Sequence, residues 1–458
     1  MKQLLLFCGL FFALAPATAQ LKPAAMAEVT TTYAFTGATL IPEPGEEITN
    51  ATVVVEDGVI TAAGKRVSVP TNAKVIPSDS LYIYAGLIAA TANVASPEID
   101  FRQMAEDMEY AVASPPNKLA GITPEKTIRD IIDPSDEAIG KMRDAGFTMA
   151  HLVPKGRMLP GSGALVLFNN DEPSEVVFRP QTAQFMQLKG MPRRLAYPST
   201  LIAVIAKYRE LYEQAEIAMD YEQQYAANPD GLEAPKNNPV LQAFYPVINK
   251  EQPVFIRAEK VLEAHRALDL QTSTGGFNLV ITELQEGWDL APTLKNRNVP
   301  VCLSLHLPEL QEMDSTQTST LTEAEEKALK ERQKEMHKKY LAQAATFEDA
   351  GIPFAFSALE VKPDEVRKNL RKMIENGLSE EAALAALTTH AAGMLGISAN
   401  TGTVTAGKMG NLTITDQPLF REESAVKYLM INGTLYTNNE KEQDTKAADA
   451  SSSSDDRE

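Results

Sequence analysis

The chain reads as β-strands at both ends with alternating strands and helices between them, and that arrangement leaves few folds open. From Tyr33 to Ile88 the strand patterns Tyr33–Leu40, Ala51–Glu56, Val59–Ala63, Lys74–Pro77 and Tyr82–Ala90 are punctuated by Pro42, Pro44-Gly45, Asp57-Gly58 and Gly64. Asp57-Gly58 lies between two apolar runs and predicts a two-residue hairpin turn, because both turn positions want φ > 0. A second β-region follows near the other end, Gly402–Asp416 and Val426–Tyr436, with Asn432-Gly433 as its turn. Between the two, Gly146–Val153, Gln252–Ala258, Phe277–Glu283, Val299–Leu305 and Ile352–Ala358 are apolar strand patterns, separated by amphipathic helices such as Glu259–Leu270 and Gln285–Asn296. Near-continuous apolar strands joined by helices predict parallel pairing, since a parallel crossover needs a helix and the helices then cover the sheet. The expected fold class is therefore α/β, a TIM-like (β/α) barrel over 86–396 with a composite β-sandwich made from 20–85 and 397–440.

Composition bears on the partners. Lys+Arg number 43 and Asp+Glu 61, a formal net charge of −18, which argues against gripping a nucleic acid or an anionic membrane surface by bulk charge. At the start, Lys2, the apolar run Leu4–Ala15 and Ala17-Thr18-Ala19 have the order of a secretory signal over 1–19, with cleavage expected after Ala19. The run is too short to span a bilayer core, and no later stretch is long enough, so no membrane span is expected. Cleavage would remove Cys8 and leave Cys302 alone, so no internal disulfide is expected in a secreted, periplasmic protein. Leu321–Ala345 interleaves Glu and Lys at helical spacing and predicts a solvated helix with i,i+4 ion pairs. The segment 441–458, with Ser451–Ser454 before Asp455 and Asp456, has no apolar face and is expected to be a disordered acidic tail.

Several runs carry a family resemblance. Ala51–Gly64, Ala73–Ile76 and Tyr84-Ala-Gly86-Leu-Ile88 resemble the opening of the amidohydrolase superfamily, especially its imidazolonepropionase-like branch. Tyr197-Pro-Ser199, Pro253–Ala258, Leu279–Ile281 with Glu286-Gly-Trp288, Ala382–Thr388, Ala391–Gly396, Gly402–Val404, Gly407-Lys408 and Ile431–Gly433 follow the same branch. The resemblance implies a barrel whose strand ends hold one or two divalent metals, opened by a His-x-His pair and closed by further histidines and an aspartate. Such a metal brings the pKa of bound water from about 15.7 toward 7 and polarises the scissile carbonyl.

The ligand positions are where this chain departs from the family. Thr91 and Asn93 stand at the His-x-His pair, Arg257 at the fifth-strand histidine, Glu283 at the sixth-strand position, and Leu359 at the eighth-strand aspartate, or Glu360 if the register slips by one. The chain has five histidines in all, and none falls on a ligand position. Zinc prefers imidazole and thiolate, so no metal is expected at this set. Three other uses of the mouth remain open at the level of sequence. His151 and His306 with Glu283 or Glu360 would rebuild a zinc site for hydrolysis of C–N bonds in cyclic amides or small peptides. Arg257, Glu259 and Glu283 would form an ion-pair network in place of the metal. Arg257 with Lys155 would hold a carboxylate ligand. Cys302, inside an apolar strand, reads as core, and His265, His337 and His390 as structural or solvated.

The chain further resembles the metal-ligand-poor N-terminal unit of exported bacterial proteins that carry two amidohydrolase units. That resemblance implies a non-catalytic subunit, paired with an active amidohydrolase or with itself as a homodimer.

Overall fold

A computed structural model describes residues 31–169, 173–310 and 322–437. The leader expected over 1–19 and the tail expected over 441–458 lie outside these residues. The chain opens with β1 (Tyr33–Ile41), β2 (Ile48–Glu56), β3 (Val59–Gly64), β4 (Lys74–Pro77) and β5 (Tyr82–Ala85). Eight barrel strands follow: β6 (Leu87–Ala92), β7 (Phe147–Leu152), β8 (Gly161–Leu167), β9 (Val177–Gln187), β10 (Val254–Arg257), β11 (Leu279–Leu284), β12 (Val301–Ser304) and β13 (Phe354–Ser357). The last three, β14 (Leu412–Thr415), β15 (Val426–Ile431) and β16 (Thr434–Thr437), return to the first group.

The terminal strands make one eight-stranded sheet in the order β16-β15-β14-β5-β1-β2-β3, with β4 pairing β1. The expected sandwich is thus a single hydrogen-bonded sheet. It folds back because β1 forks, its first half pairing β4 and its second half β5, along the edge that β2 does not use. Gly37 makes the kink at φ 81, where a Cβ would lie 2.5 Å from the Asp79 carboxylate. The sheet closes its own core, with Phe35, Leu40, Val53, Val55, Ile83, Leu412, Ile414 and Met430. Both hairpin turns have φ > 0 at their two central residues, Asp57-Gly58 and Asn432-Gly433.

The barrel closes in the order β10-β11-β12-β13-β6-β7-β8-β9. Seven strands run in one direction and β8 runs against them, antiparallel to both β7 and β9. This corrects the expectation of an all-parallel barrel. The reason is chain length: only residues 153–160 join β7 to β8, too few for the dozen or more that a parallel crossover requires. Elsewhere helices make the crossovers, Leu201–Ala227 before β10, Val261–Ser273 before β11, Ala291–Arg297 before β12 and Glu323–Asp349 before β13.

Caps set several helix starts. Thr200 accepts from the Ala203 amide, Ser379 from the Ala382 amide, and Thr322 with Glu325 forms a capping box. Sheet and barrel are joined at Thr413, whose hydroxyl donates to the Gly146 carbonyl at 2.8 Å, and by the Gly86 amide on the Asn411 carbonyl at 2.8 Å. Among the described residues, no helix is long and apolar enough to cross a membrane.

Candidate functional site at the barrel mouth

Parallel strands present their C-terminal residues at one end of the barrel, so Thr91, Arg257, Glu283, Ser304 and Ser357 arrive at the same face. Strand pairing fixes their neighbours, with Ser304 opposite Ser357 and Ser357 opposite Thr91. Glu283 is the centre of the arrangement. It is fully buried and takes φ 61, a conformation that non-glycine residues rarely adopt. The Ser304 hydroxyl donates to its Oε1, and the Ser357 hydroxyl donates to Oε2 at 2.5 Å. Burial raises its carboxyl above the ordinary range, against the lowering effect of the two serines and of Arg257.

Arg257 lies beside it with about a fifth of its side chain exposed, too little for solvent to hold the charge alone. Its Nε donates to Glu259 Oε1 at 2.9 Å, its Nη2 donates to the same oxygen, and Nη2 lies 2.7 Å from Glu360 Oε1. Burial on its own would lower the guanidinium pKa, but Glu360, Glu259 and Glu283 together push it up. The cation is therefore permanent. Leu359 is buried and apolar, while Glu360 reaches the arginine.

One layer deeper, the Thr282 hydroxyl donates to the Thr91 hydroxyl at 2.8 Å across the barrel, and Thr91 points to the Cys302 sulfur at 3.9 Å. Burial pushes the Cys302 thiol up to about 12, so it stays protonated and unreactive. Asn93 is half-buried in the turn after β6.

Neither candidate imidazole is hydrogen-bonded to Glu283, whose partners are Ser304 and Ser357. His151, the penultimate residue of β7, is fully buried, its ring 4.7 Å from that of Phe255 and edge-on to it. Its Nδ1 is 3.2 Å from the Ala90 carbonyl, which assigns the proton to Nδ1 and leaves Nε2 without a partner. Burial lowers its pKa to about 4. His306 is half-buried after β12, and its backbone amide, not its imidazole, serves the network by donating to Ser304 Oγ at 3.0 Å. Lys155 pairs with Glu98 at 3.0 Å, so the structure engages both cations of the expected carboxylate clamp with acids of the chain itself. The expected ion-pair network is also modified. Arg257 binds Glu259 and Glu360 directly, and Glu283 acts on it only through its field.

Sequence reasoning missed Ser304 and Ser357. Each is the last residue of a four-residue strand, Val301–Ser304 and Phe354–Ser357, and a polar residue closing an otherwise apolar run was the available signal.

Zinc takes three or four imidazole, thiolate or carboxylate donors. The mouth presents Glu283, with both oxygens taken by serines, and Glu259 and Glu360, both paired to Arg257, a fixed cation that repels a divalent ion. The residues present do not fit the metal. Among the described residues, no group of three or more His, Cys, Asp or Glu side chains is placed to hold one.

No protein-family model matches the chain, and no curated protein matches it. Solved structures do. An amidohydrolase from Thermotoga maritima aligns with a TM-score of 0.71 at 18% identity, over 89% of this chain and 100% of that one. A prolidase complexed with N-methylphosphonate-L-proline aligns with a TM-score of 0.53 at 16% identity, over 89% and 100%. A putative prolidase from Bifidobacterium longum gives a TM-score of 0.53 at 16% identity, over 92% and 99%. At these identities the likeness is one of fold: the chain has the fold of the amidohydrolases.

Proposed function

We propose that this chain is an exported protein of the amidohydrolase superfamily, from its imidazolonepropionase-like branch, that has lost metal-dependent hydrolysis. It serves as a non-catalytic subunit, beside an active amidohydrolase or a second copy of itself. The observation that carries this reading is Arg257, held by Glu259 and Glu360 beside a Glu283 whose carboxyl is closed by Ser304 and Ser357. An ion-paired, hydrogen-bonded cluster fills the position where metal chemistry would need open acceptor groups, and such clusters are costly to take apart once buried. The alternative, a hydrolase of cyclic amides or small peptides with a rebuilt zinc site of His151, His306 and an acid, has no support in the geometry of the two imidazoles. The leader pattern supports export to the periplasm.

The test is a hydrolysis screen on Xaa-Pro dipeptides and cyclic amides, run with and without added Zn²⁺ or Mn²⁺. The account expects turnover no higher than in buffer under every condition. Metal-dependent turnover that is abolished by Glu283→Gln would overturn it.

A further inference from the structure

The loops on the mouth face build a second feature that the Arg257 cluster does not use. Residues after β6 and after β9 share a small core of their own, Phe101, Leu119, Met191 and Ala196. The segment around Thr123 is stitched to the loop that follows β7. The Thr123 amide donates to the Leu159 carbonyl at 2.8 Å, the Leu159 amide to the Gly121 carbonyl at 2.9 Å, and the Thr123 hydroxyl to the Pro160 carbonyl at 3.1 Å. Between these walls lies a cavity of about 250 Å³.

Its lining combines apolar side chains, Ile99, Phe101, Met104 and Pro160, with three cations, Lys118, Lys126 and Arg157. No salt bridge among the described residues engages any of the three cations. Arg157 is steadied by donating from Nη1 to the Gly190 carbonyl at 3.1 Å, and Gly121 keeps the wall close, since a Cβ there would lie 2.6 Å from the Arg157 Cβ. Two acids share the cavity. Glu98 is balanced by Lys155 at 3.0 Å, and Asp100 accepts from the Arg102 and Gln103 amides at 2.9 and 3.0 Å. Positive charge is left in surplus in a concave, partly apolar space, within a chain whose net charge is −18.

We propose that this cavity binds a small amphipathic anion, an oxyanion head on an apolar body. Lys118, Lys126 and Arg157 receive the carboxylate or phosphate, and Ile99, Phe101 and Met104 take the body. A preformed pocket with a few convergent polar groups on an apolar floor is the usual construction of a small-molecule site, and the mouth face of a barrel is its usual place. The inference is independent of whether the Arg257 cluster is catalytic: metal binding and turnover test that reading, and ligand binding tests this one.

The experiment is calorimetric titration of the full chain with N-acetyl-leucine, with phenyl phosphate, and with the neutral N-acetyl-leucine amide. Saturable millimolar or tighter binding of at least one anion is expected, at least tenfold stronger than any binding of the amide, and the preferred anion separates carboxylate from phosphate. Lys118→Ala and Lys126→Ala, whose side chains are exposed and half-buried, should each weaken it at least threefold without shifting the melting temperature, and Arg257→Lys should leave it unchanged. Binding of neither anion, or binding that survives the Lys118→Ala/Lys126→Ala double variant, overturns the proposal.

Discussion

Glu283 and His151 are both fully buried and both titratable, and burial acts on them in opposite directions because it always disfavours the charged form. The Glu283 carboxyl is raised in the folded state, so the folded chain binds its proton more tightly than the unfolded chain. Its stabilising contribution is complete below the ordinary carboxylate value of 4.5 and is lost as pH rises through the raised value. Glu283→Gln keeps a hydrogen-bonding amide between Ser304 and Ser357 and cannot ionise. In urea unfolding measured upward from the ordinary carboxylate value of 4.5, the variant should gain stability relative to the parent as pH rises. The His151 imidazole is lowered to about 4 from 6.5, so the unfolded chain takes up its proton first as pH falls. Stability attributable to it is present above 6.5 and lost toward 4, by about 3 kcal/mol in full. His151→Asn should start less stable at pH 8 and lose less than the parent between pH 6.5 and 4, compared as a difference because other carboxylates titrate there too. A parallel loss in both proteins would remove the assignment.

At the scale of elements, β8 and β9 are the parts of the barrel that sequence did not make legible, and β8 shows why. Its segment Gly161–Leu167 contains two glycines and a serine before its apolar run, which reads as loop, and tertiary pairing overrides that preference. Gly163 is there for the neighbouring side chain. A Cβ would lie 2.4 Å from His151 Nε2 and 2.9 Å from the Leu152 carbonyl oxygen. Gly163→Ala should cost about 1–3 kcal/mol in urea unfolding, the usual price of overpacking a core, and no loss would mean that β8 is not pressed against His151. The strands that were legible, β7 and β10 to β13, are continuous apolar runs followed, in most cases, by patterned helices. The site was legible residue by residue in what had replaced the expected ligands, Thr91, Asn93, Arg257 and Glu283. Of what those residues touch, the pairing of Arg257 with Glu259 was legible, while Ser304, Ser357 and the Glu360 contact depend on how distant strands align, which no local pattern shows.

The whole molecule is closed by its two ends. β14 pairs β5 through Leu412–Ala85, Thr413–Tyr84, Ile414–Ile83 and Thr415–Tyr82, so the sheet is continuous only when both ends of the chain are present. A chain ending at Gly396 would expose the edge of β5 and remove Leu412, Ile414 and Met430 from the sheet core. It should be insoluble or aggregate on expression, whereas a folded, monodisperse product would show that the barrel needs no sheet. The same closure holds the barrel in the geometry of hydrolases while its mouth carries an arginine and two serine-capped oxygens. The central claim is that this mouth holds no metal, and calorimetric titration of the chelator-treated chain with Zn²⁺ tests it most directly. The account predicts no saturable site of micromolar affinity or better; a single zinc bound per chain, lost in Glu283→Gln, would contradict it.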